Sequence, residues 1–339
     1  MKKSWNLAVV GVTDTLGSQM IECLEERDFP VGKIKYLANS RSAGQIMEFK
    51  GKPVVVEKLS HDSFAGIDIA LFSAGSSLSE EFCPVATGSG AVCIDISGAW
   101  RMDSMVPLVV PEVNAHAIVQ YTGKGIIACP NSSTIQMVVA LKPLHDYGRI
   151  RRIVVSTYQP VSGTGKKAIE ELRTQTIDLM NGRPAKCKVY PHRIAFNCLP
   201  HAESFCDSGY TKEETQMADE TRKILAADIR ITATAVRVPV FYGLCEAVNI
   251  ETEKKITVAM ARELIATAPG LKLADDVANN VYPLPSDATG QDLIWVGRIR
   301  EDESIENGLN LWVVADNIRK GGATTAVQIA EILIENCLK

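Results

Sequence analysis

The sequence predicts an α/β chain: a doubly wound parallel sheet first, then an α+β domain with a mixed sheet. Three observations carry this reading. Short, wholly apolar runs alternate with helical patterns up to about residue 130, and the runs beyond are longer and alternate in polarity. Between the first strand and the first helix lies a glycine turn, Gly11-Val12-Thr13-Asp14-Thr15-Leu16-Gly17. Apolar runs need cover on both faces, whereas alternating runs leave one face half wet.

Taken in order, Leu7 to Val10 is a strand and Leu16 to Glu26 a helix. Ile34 to Ala38, Val54 to Val56, Ile67 to Phe72, Val92 to Ile94 and Ile126 to Ala128 are further strands. Beyond residue 131, Ile135 to His145 reads as a helix, Ile153 to Tyr158 as a strand and Lys166 to Met180 as a helix charged on one side. Gly182 to Ser208 lacks periodicity and reads as an extended loop or arm. Lys212 to Ala226 is helical; Ile229 to Val238, Cys245 to Glu251, Asp292 to Arg298 and Leu309 to Asp316 are strands. A last helix, Thr324 to Leu338, is expected to pack back on the first domain. The domains are placed at 1–130, rejoined by 320–339, and at 131–319.

The chain's 339 residues suffice for two cores. A net charge of −4 leaves no basic footprint, so nucleic acid is not an expected partner. Met1-Lys2-Lys3-Ser4-Trp5 runs straight into a strand pattern, and no apolar run reaches membrane-spanning length; a cytoplasmic protein without membrane contact is expected. Nine cysteines without a CxxC pair argue against disulfides and zinc, and five scattered histidines add no ligand pair, so no metal is expected.

The glycine turn has the spacing of a Rossmann-type dinucleotide turn, with Asp14 at the middle glycine. Glycine there lets a backbone approach a diphosphate seated on the helix N-terminus. Asp14 has N-cap chemistry and is expected to satisfy those amides itself, stabilising the helix by roughly 0.5–2 kcal/mol, while setting a negative charge where the diphosphate belongs. After the second strand comes Asn39-Ser40-Arg41-Ser42, with no acidic residue for a ribose hydroxyl. Arg41 and Ser42 suit a 2′-phosphate, so a bound dinucleotide would be NADP.

Six further blocks follow: Ser97 to Asp103, Val110 to Asn114, Pro130 to Gln136, Ser156 to Gly163, Arg237 to Val240 and Asp316 to Gly321. In these blocks the chain resembles the aspartate-semialdehyde dehydrogenase family from end to end. The resemblance implies a homodimer formed through the second, dimerisation and catalytic domain, an anionic aspartyl substrate and NADP chemistry through a cysteine thioester. Carried over by position, the cysteine falls on Ser132, after Asn131, and the glutamine that orients the acyl group on Gln159. The phosphate-side arginine falls on Arg101 and the carboxylate-side arginine on Arg237. The acid/base histidine becomes Leu244. A glutamate with a lysine three residues on becomes Glu213 and Gln216, and an asparagine near the nicotinamide becomes Thr325. The cofactor set implied is Gly11, Thr13, Asp14, Gly17, Arg41, Ser42, Ser73, Gly75, Ser162, Gly163 and Asn317.

A serine needs a base to act as a nucleophile, and Leu244 supplies none. Cys129 and Cys245 lie near the altered positions, but read as small core residues rather than a relocated nucleophile. Two readings stand. In the first, the chain is a family member that has lost turnover and keeps its fold and an anion pocket. In the second, it is an NADP-dependent oxidoreductase of weak or altered activity.

Overall fold

The computed structural model describes residues 4–338; Met1–Lys3 and Lys339, which the domain boundaries placed at 1 and 339 include, lie outside it. The chain forms two compact units, one running to Asn131 and resuming at Gly322, the other spanning Ser132–Gly321.

The first unit opens with β1 (Trp5–Val10), α1 (Thr15–Glu26), β2 (Val31–Ala38), β3 (Ile46–Phe49) and β4 (Lys52–Lys58). It continues with β5 (Ile69–Phe72), α2 (Ser76–Gly88), β6 (Val92–Asp95), the one-turn α3 (Pro111–Asn114) and β7 (Ile126–Ala128). The sheet order is β3-β4-β2-β1-β5-β6-β7, parallel throughout except for the β3–β4 hairpin. The sequence reading missed β3, whose edge position leaves it mostly exposed and short of apolar residues. Strand β1 is central, so the winding reverses beside it, and a crevice is expected at the carboxyl ends of β1 and β5. Gly11 and Thr13 follow β1, and Ser73 and Gly75 follow β5.

The second unit contains α4 (Ser132–Gly148), β8 (Ile150–Gln159), α5 (Lys166–Met180), α6 (Lys212–Leu225), β9 (Arg230–Arg237) and β10 (Leu244–Thr252). After these come α7 (Val258–Thr267), β11 (Leu271–Leu273), α8 (Pro285–Ala288), β12 (Ile294–Asp302) and β13 (Gly308–Ala315). Its sheet, β11-β12-β13-β10-β8-β9, is mixed: β8–β9 and β11–β12 are parallel and the other pairs antiparallel. Helix α4 is buried from Ser133 to Leu141 and packs on β8, β10, β12 and β13. A helix apolar nearly all round must lie inside its unit. It starts at Ser132, three residues earlier than the periodicity suggests, because the polar run Ser132-Ser133-Thr134 is compatible with a first helical turn but carries no apolar signal. The last helix, α9 (Thr324–Asn336), belongs to the first unit, where Ala326, Val327, Ile329, Ala330 and Leu333 join the core around α1.

Residues 182–208 form no helix or strand, yet they are held down. The buried Glu171 carboxylate accepts the amides of Lys188 (2.7 Å), Val189 (2.5 Å) and Tyr190 (3.3 Å). The Gln175 amide oxygen accepts those of Ile194 (3.0 Å) and Ala195 (3.1 Å). Leu199 exchanges backbone hydrogen bonds with Arg237 at 2.9 and 2.7 Å. An unpaired buried donor costs about 1–3 kcal/mol, so Glu171→Ala is expected to destabilise the protein by about that much. Hydrogen exchange at 188–190 should speed up while that of β8 does not change; unchanged protection at 188–190 would contradict this account.

Candidate active site

The site builds up from strand register. Gln159, the last residue of β8, pairs with Arg237 on β9, and Leu244, the first of β10, pairs with Ala315 on β13. Cys245 pairs with Tyr158, which sets Leu244 opposite Gln159. Arg237, Gln159, Leu244 and Ala315 thus form one row across four strands, with side chains on one face. The first turns of α4 and α6 add Ser133 and Glu213. The Gln159 amide donates to Glu213 Oε1 (2.9 Å), to Thr157 Oγ1 (3.2 Å) and, at 3.4 Å, to Ser133 Oγ. Ser133 donates to the same Glu213 oxygen at 3.1 Å. Gln159 and Glu213, both expected from sequence, are therefore brought together. Ser133 was missed, because two adjacent serines look alike until the helix sends them to different sides.

Helix α6 is fixed at its start. Thr211 Oγ1 accepts the Glu214 amide, Glu214 returns a bond to the Thr211 amide, and its other oxygen accepts the Ala235 amide of β9 at 2.8 Å. This capping box anchors the turn that carries Glu213. Burial pushes the Glu213 carboxyl up, opposed by the bonds from Gln159 and Ser133 and by the Arg237 charge. Gln216, one turn on, is half-buried and makes no hydrogen bond among the described residues.

Arg237 is 9% exposed; its Nη1 donates to the Pro160 carbonyl at 2.9 Å and its Nε has no partner among the described residues. Beside it, Gly163 leaves only 3.3 Å between an added Cβ and Arg237 Nη1. Asn317 Nδ2 donates to Ser162 Oγ (3.1 Å), and its oxygen accepts the Gly243 amide (3.3 Å). One asparagine thus joins the Ser162 loop to the turn before Leu244.

Ser132 is the first residue of α4, half-buried, and its hydroxyl has no hydrogen-bond partner among the described residues. Gly321 packs against it so closely that an added Cβ would stand 2.6 Å from Ser132 Cβ. Leu244 is buried and offers neither a donor nor an acceptor. A helix N-terminus favours an anion, but a serine hydroxyl stays neutral without a base.

In the first unit, Arg101 is buried and donates from Nε to the Cys129 carbonyl (3.0 Å) and from Nη2 to that of Ile96 (2.8 Å). These donors staple the turn before Asn131, itself half-buried, because buried carbonyls at loop ends demand partners. Asp95, which burial pushes up, holds the same loop by accepting the Ser97 hydroxyl at 2.7 Å.

At the nucleotide end, Gly11 has φ +83°, and a Cβ there would meet Ser73 Oγ at 2.8 Å. Ser73 donates to the Val10 carbonyl at 2.9 Å. Gly17 is equally constrained, its added Cβ falling 2.3 Å from the Gly11 carbonyl oxygen. Thr13 donates to Ser42 at 3.2 Å, which links the turn to the loop after β2, where Arg41 is exposed. Gly75 is exposed and caps α2, and Thr325 is buried in α9. Asp14 occupies the N-cap of α1 but makes no side-chain capping bond, contrary to expectation. It is exposed, and a hydrated carboxylate gains little by turning back onto the helix. Among the described residues no group of three or more His, Cys, Asp or Glu side chains could hold a metal ion, and no helix is long and apolar enough to cross a membrane.

Two family profiles match the chain: semialdehyde dehydrogenase, NAD binding domain, over residues 6–121, and semialdehyde dehydrogenase, dimerisation domain, over residues 141–320. The aspartate-semialdehyde dehydrogenase of Aquifex aeolicus is 53% identical over 337 residues, covering 98% of this chain and 99% of that one. That of Legionella pneumophila is 51% identical over 335 residues, covering 98% and 96%. The crystal structure of aspartate semialdehyde dehydrogenase II from Vibrio cholerae complexed with ASA superposes with a TM-score of 0.97 at 46% identity, covering 99% of this chain and all (100%) of that one. By register, fold and sequence together, this chain belongs to the aspartate-semialdehyde dehydrogenase family.

Proposed function

We propose that this chain keeps the family's fold and a pocket for a small anionic aspartyl derivative, but cannot run the NADP-dependent acyl-phosphate chemistry. The observation that carries this is the unpartnered Ser132 hydroxyl at the start of α4, with Leu244 in the row where the resemblance calls for a histidine. The standard reaction converts the semialdehyde, phosphate and NADP into aspartyl phosphate and NADPH through a thioester. Loss of the base costs about 10²–10⁴ in rate, and an oxygen ester is a poorer partner for hydride and phosphate than a thioester. Arg237 supports a retained anion pocket, since its buried Nε awaits an acceptor. Arg101 and Asn131 are assigned to an anionic ligand by resemblance alone. Gln216 offers a neutral amide where the family has a lysine, which weakens any hold on phosphate. The second reading, an oxidoreductase of altered substrate, draws its support from the intact Gln159–Glu213 pair.

The residues present fit NADP in shape. Gly11 and Gly17 open the turn, α1 presents its N-terminus, and Thr13 with Ser42 and the exposed Arg41 suit a 2′-phosphate. NADP, when bound, supplies the hydride acceptor. Ser73 and Gly75 complete the first unit's cofactor set; Ser162, Gly163 and Asn317 are assigned to the nicotinamide side by resemblance. Asp14 opposes the diphosphate by charge alone. The match to a dimerisation domain supports a homodimer, and Arg152, Val154, Ser156 and Tyr158 give β8 a half-exposed face for it.

No cysteine takes over. Cys129 and Cys245 are buried, and burial pushes the Cys245 thiol up to about 12. Cys187, Cys198 and Cys206 are exposed, so iodoacetamide should label these three first; fast labelling at 129 or 245 would restore the relocated-nucleophile idea. With aspartate semialdehyde, phosphate and NADP, turnover should fall at least about a hundredfold below that of an ordinary family enzyme. Turnover above that level contradicts the proposal. By calorimetric titration, Asp14→Gly should tighten NADP binding by roughly tenfold, the effect of removing one charge a few ångströms from a diphosphate near the surface; an unchanged Kd would show that Asp14 does not oppose the cofactor.

A further inference from the structure

Beneath the row of Arg237, Gln159 and Leu244 lies a second, fully buried polar layer. Glu246 stands two residues beyond Leu244 on β10 and therefore on the same face, directly opposite Thr157 on β8 and Val313 on β13. It is 0% exposed, and neither carboxyl oxygen has a hydrogen-bond partner among the described residues. Gln136 of α4 approaches it without reaching full hydrogen-bond geometry, so its own amide atoms are unpartnered too. From α6 it feels Glu213; its own strand adds Cys245, and among the described residues no Lys, Arg or His forms an ion pair with it. Thr157, the cross-strand neighbour of Glu246, accepts from Gln159, which donates in turn to Glu213, so the bonded polar groups of the upper row end beside Glu246.

Two carboxylates cannot both stay ionised in such a place. An ionised group buried without a counter-ion or hydrogen bonds gives up its charge. Glu213 has two hydrogen-bond donors and the nearby Arg237 charge, whereas Glu246 has only the Gln136 amide beside it and no counter-charge among the described residues. We propose that Glu246 is a positioning acid, held uncharged beneath Leu244, which leaves Glu213 as the ionised carboxyl of the pocket and links any charge change at Glu213 to the proton on Glu246. Burial and the Glu213 charge both push Glu246 well above the ordinary carboxyl range. The consequence for ligand binding rests on the retained pocket proposed above: a cationic group arriving beside Glu213 would ease loss of the proton from Glu246.

The sign of the stability effect follows. Because its value is raised on folding, Glu246 contributes stability that is fully present below the unfolded carboxyl value and is lost as pH rises toward the folded one. The stability of the wild type relative to E246Q should therefore fall as pH rises above the unfolded value, where an ionised native Glu246 would show no such trend.

The test uses infrared spectroscopy on the whole chain without ligand, so it stands whether or not the enzyme turns over. At neutral pH, E246Q minus wild type should show loss of a carboxylic-acid carbonyl band, not of a carboxylate band. In E213Q the remaining acid band of Glu246 should titrate at lower pH, a shift that a merely structural residue would not give. Loss of a carboxylate band in E246Q overturns the proposal, as does an unmoved titration in E213Q. If E246Q does not fold, E213Q decides alone. Wild-type turnover within about a hundredfold of an ordinary family enzyme would defeat the function proposed above and leave these spectra as they are.

Discussion

The Gln159 side-chain amide is the interaction on which the second unit's site depends. It reaches Glu213, Thr157 and Ser133 from the end of β8, and so joins a sheet strand to the first turns of two helices. Each partner is buried, and a buried polar group left alone costs more than a satisfied one gains. The register of β8 against β9 and β10 decides where this amide points. A one-residue slip of β8 would turn Gln159 to the face opposite Arg237 and Leu244.

Scaffold and chemistry separate along this line. The bonds that hold the site come from Gln159, Asn317, Glu214 and the Pro160 carbonyl, and all are in place. The groups proposed to be lost, at Ser132 and Leu244, project from the same framework without holding it together. Such side chains can change while the fold stays within a TM-score of 0.97 of a family structure. Asp14 follows the same pattern at the nucleotide end, where Gly11 and Gly17 are sterically required and position 14 is an open, exposed cap. Function lives in sites carried by folds, and the proposed loss of turnover would leave this fold intact.

Much of this was legible in the sequence. The parallel sheet followed from short apolar runs, and the mixed sheet from longer alternating ones. Gln159 and Glu213 follow from the family resemblance by position, but their contact does not. What stayed hidden needed three dimensions. Ser133 and Ser132 differ only in the side of α4 that they occupy, which periodicity cannot assign in a polar run. The Arg101 staple depends on carbonyls at Ile96 and Cys129, and a backbone oxygen leaves no mark in a sequence. Strand β3 was missed because a mostly exposed edge strand carries little apolar signal. Asp14 has the residue type of a cap, yet it stands exposed at the N-cap without a capping bond, which its identity alone could not reveal.

The most direct measurement of the central claim, that two side chains and not the scaffold separate this chain from turnover, is dehydrogenase activity of the double variant S132C/L244H with aspartate semialdehyde, phosphate and NADP. A thiol at the start of α4 with an imidazole in the row beside Gln159 should raise turnover over wild type by at least about 10²-fold, the lower contribution of a positioned general base. A folded double variant that stays at the wild-type rate would contradict the account and place the loss elsewhere in the framework.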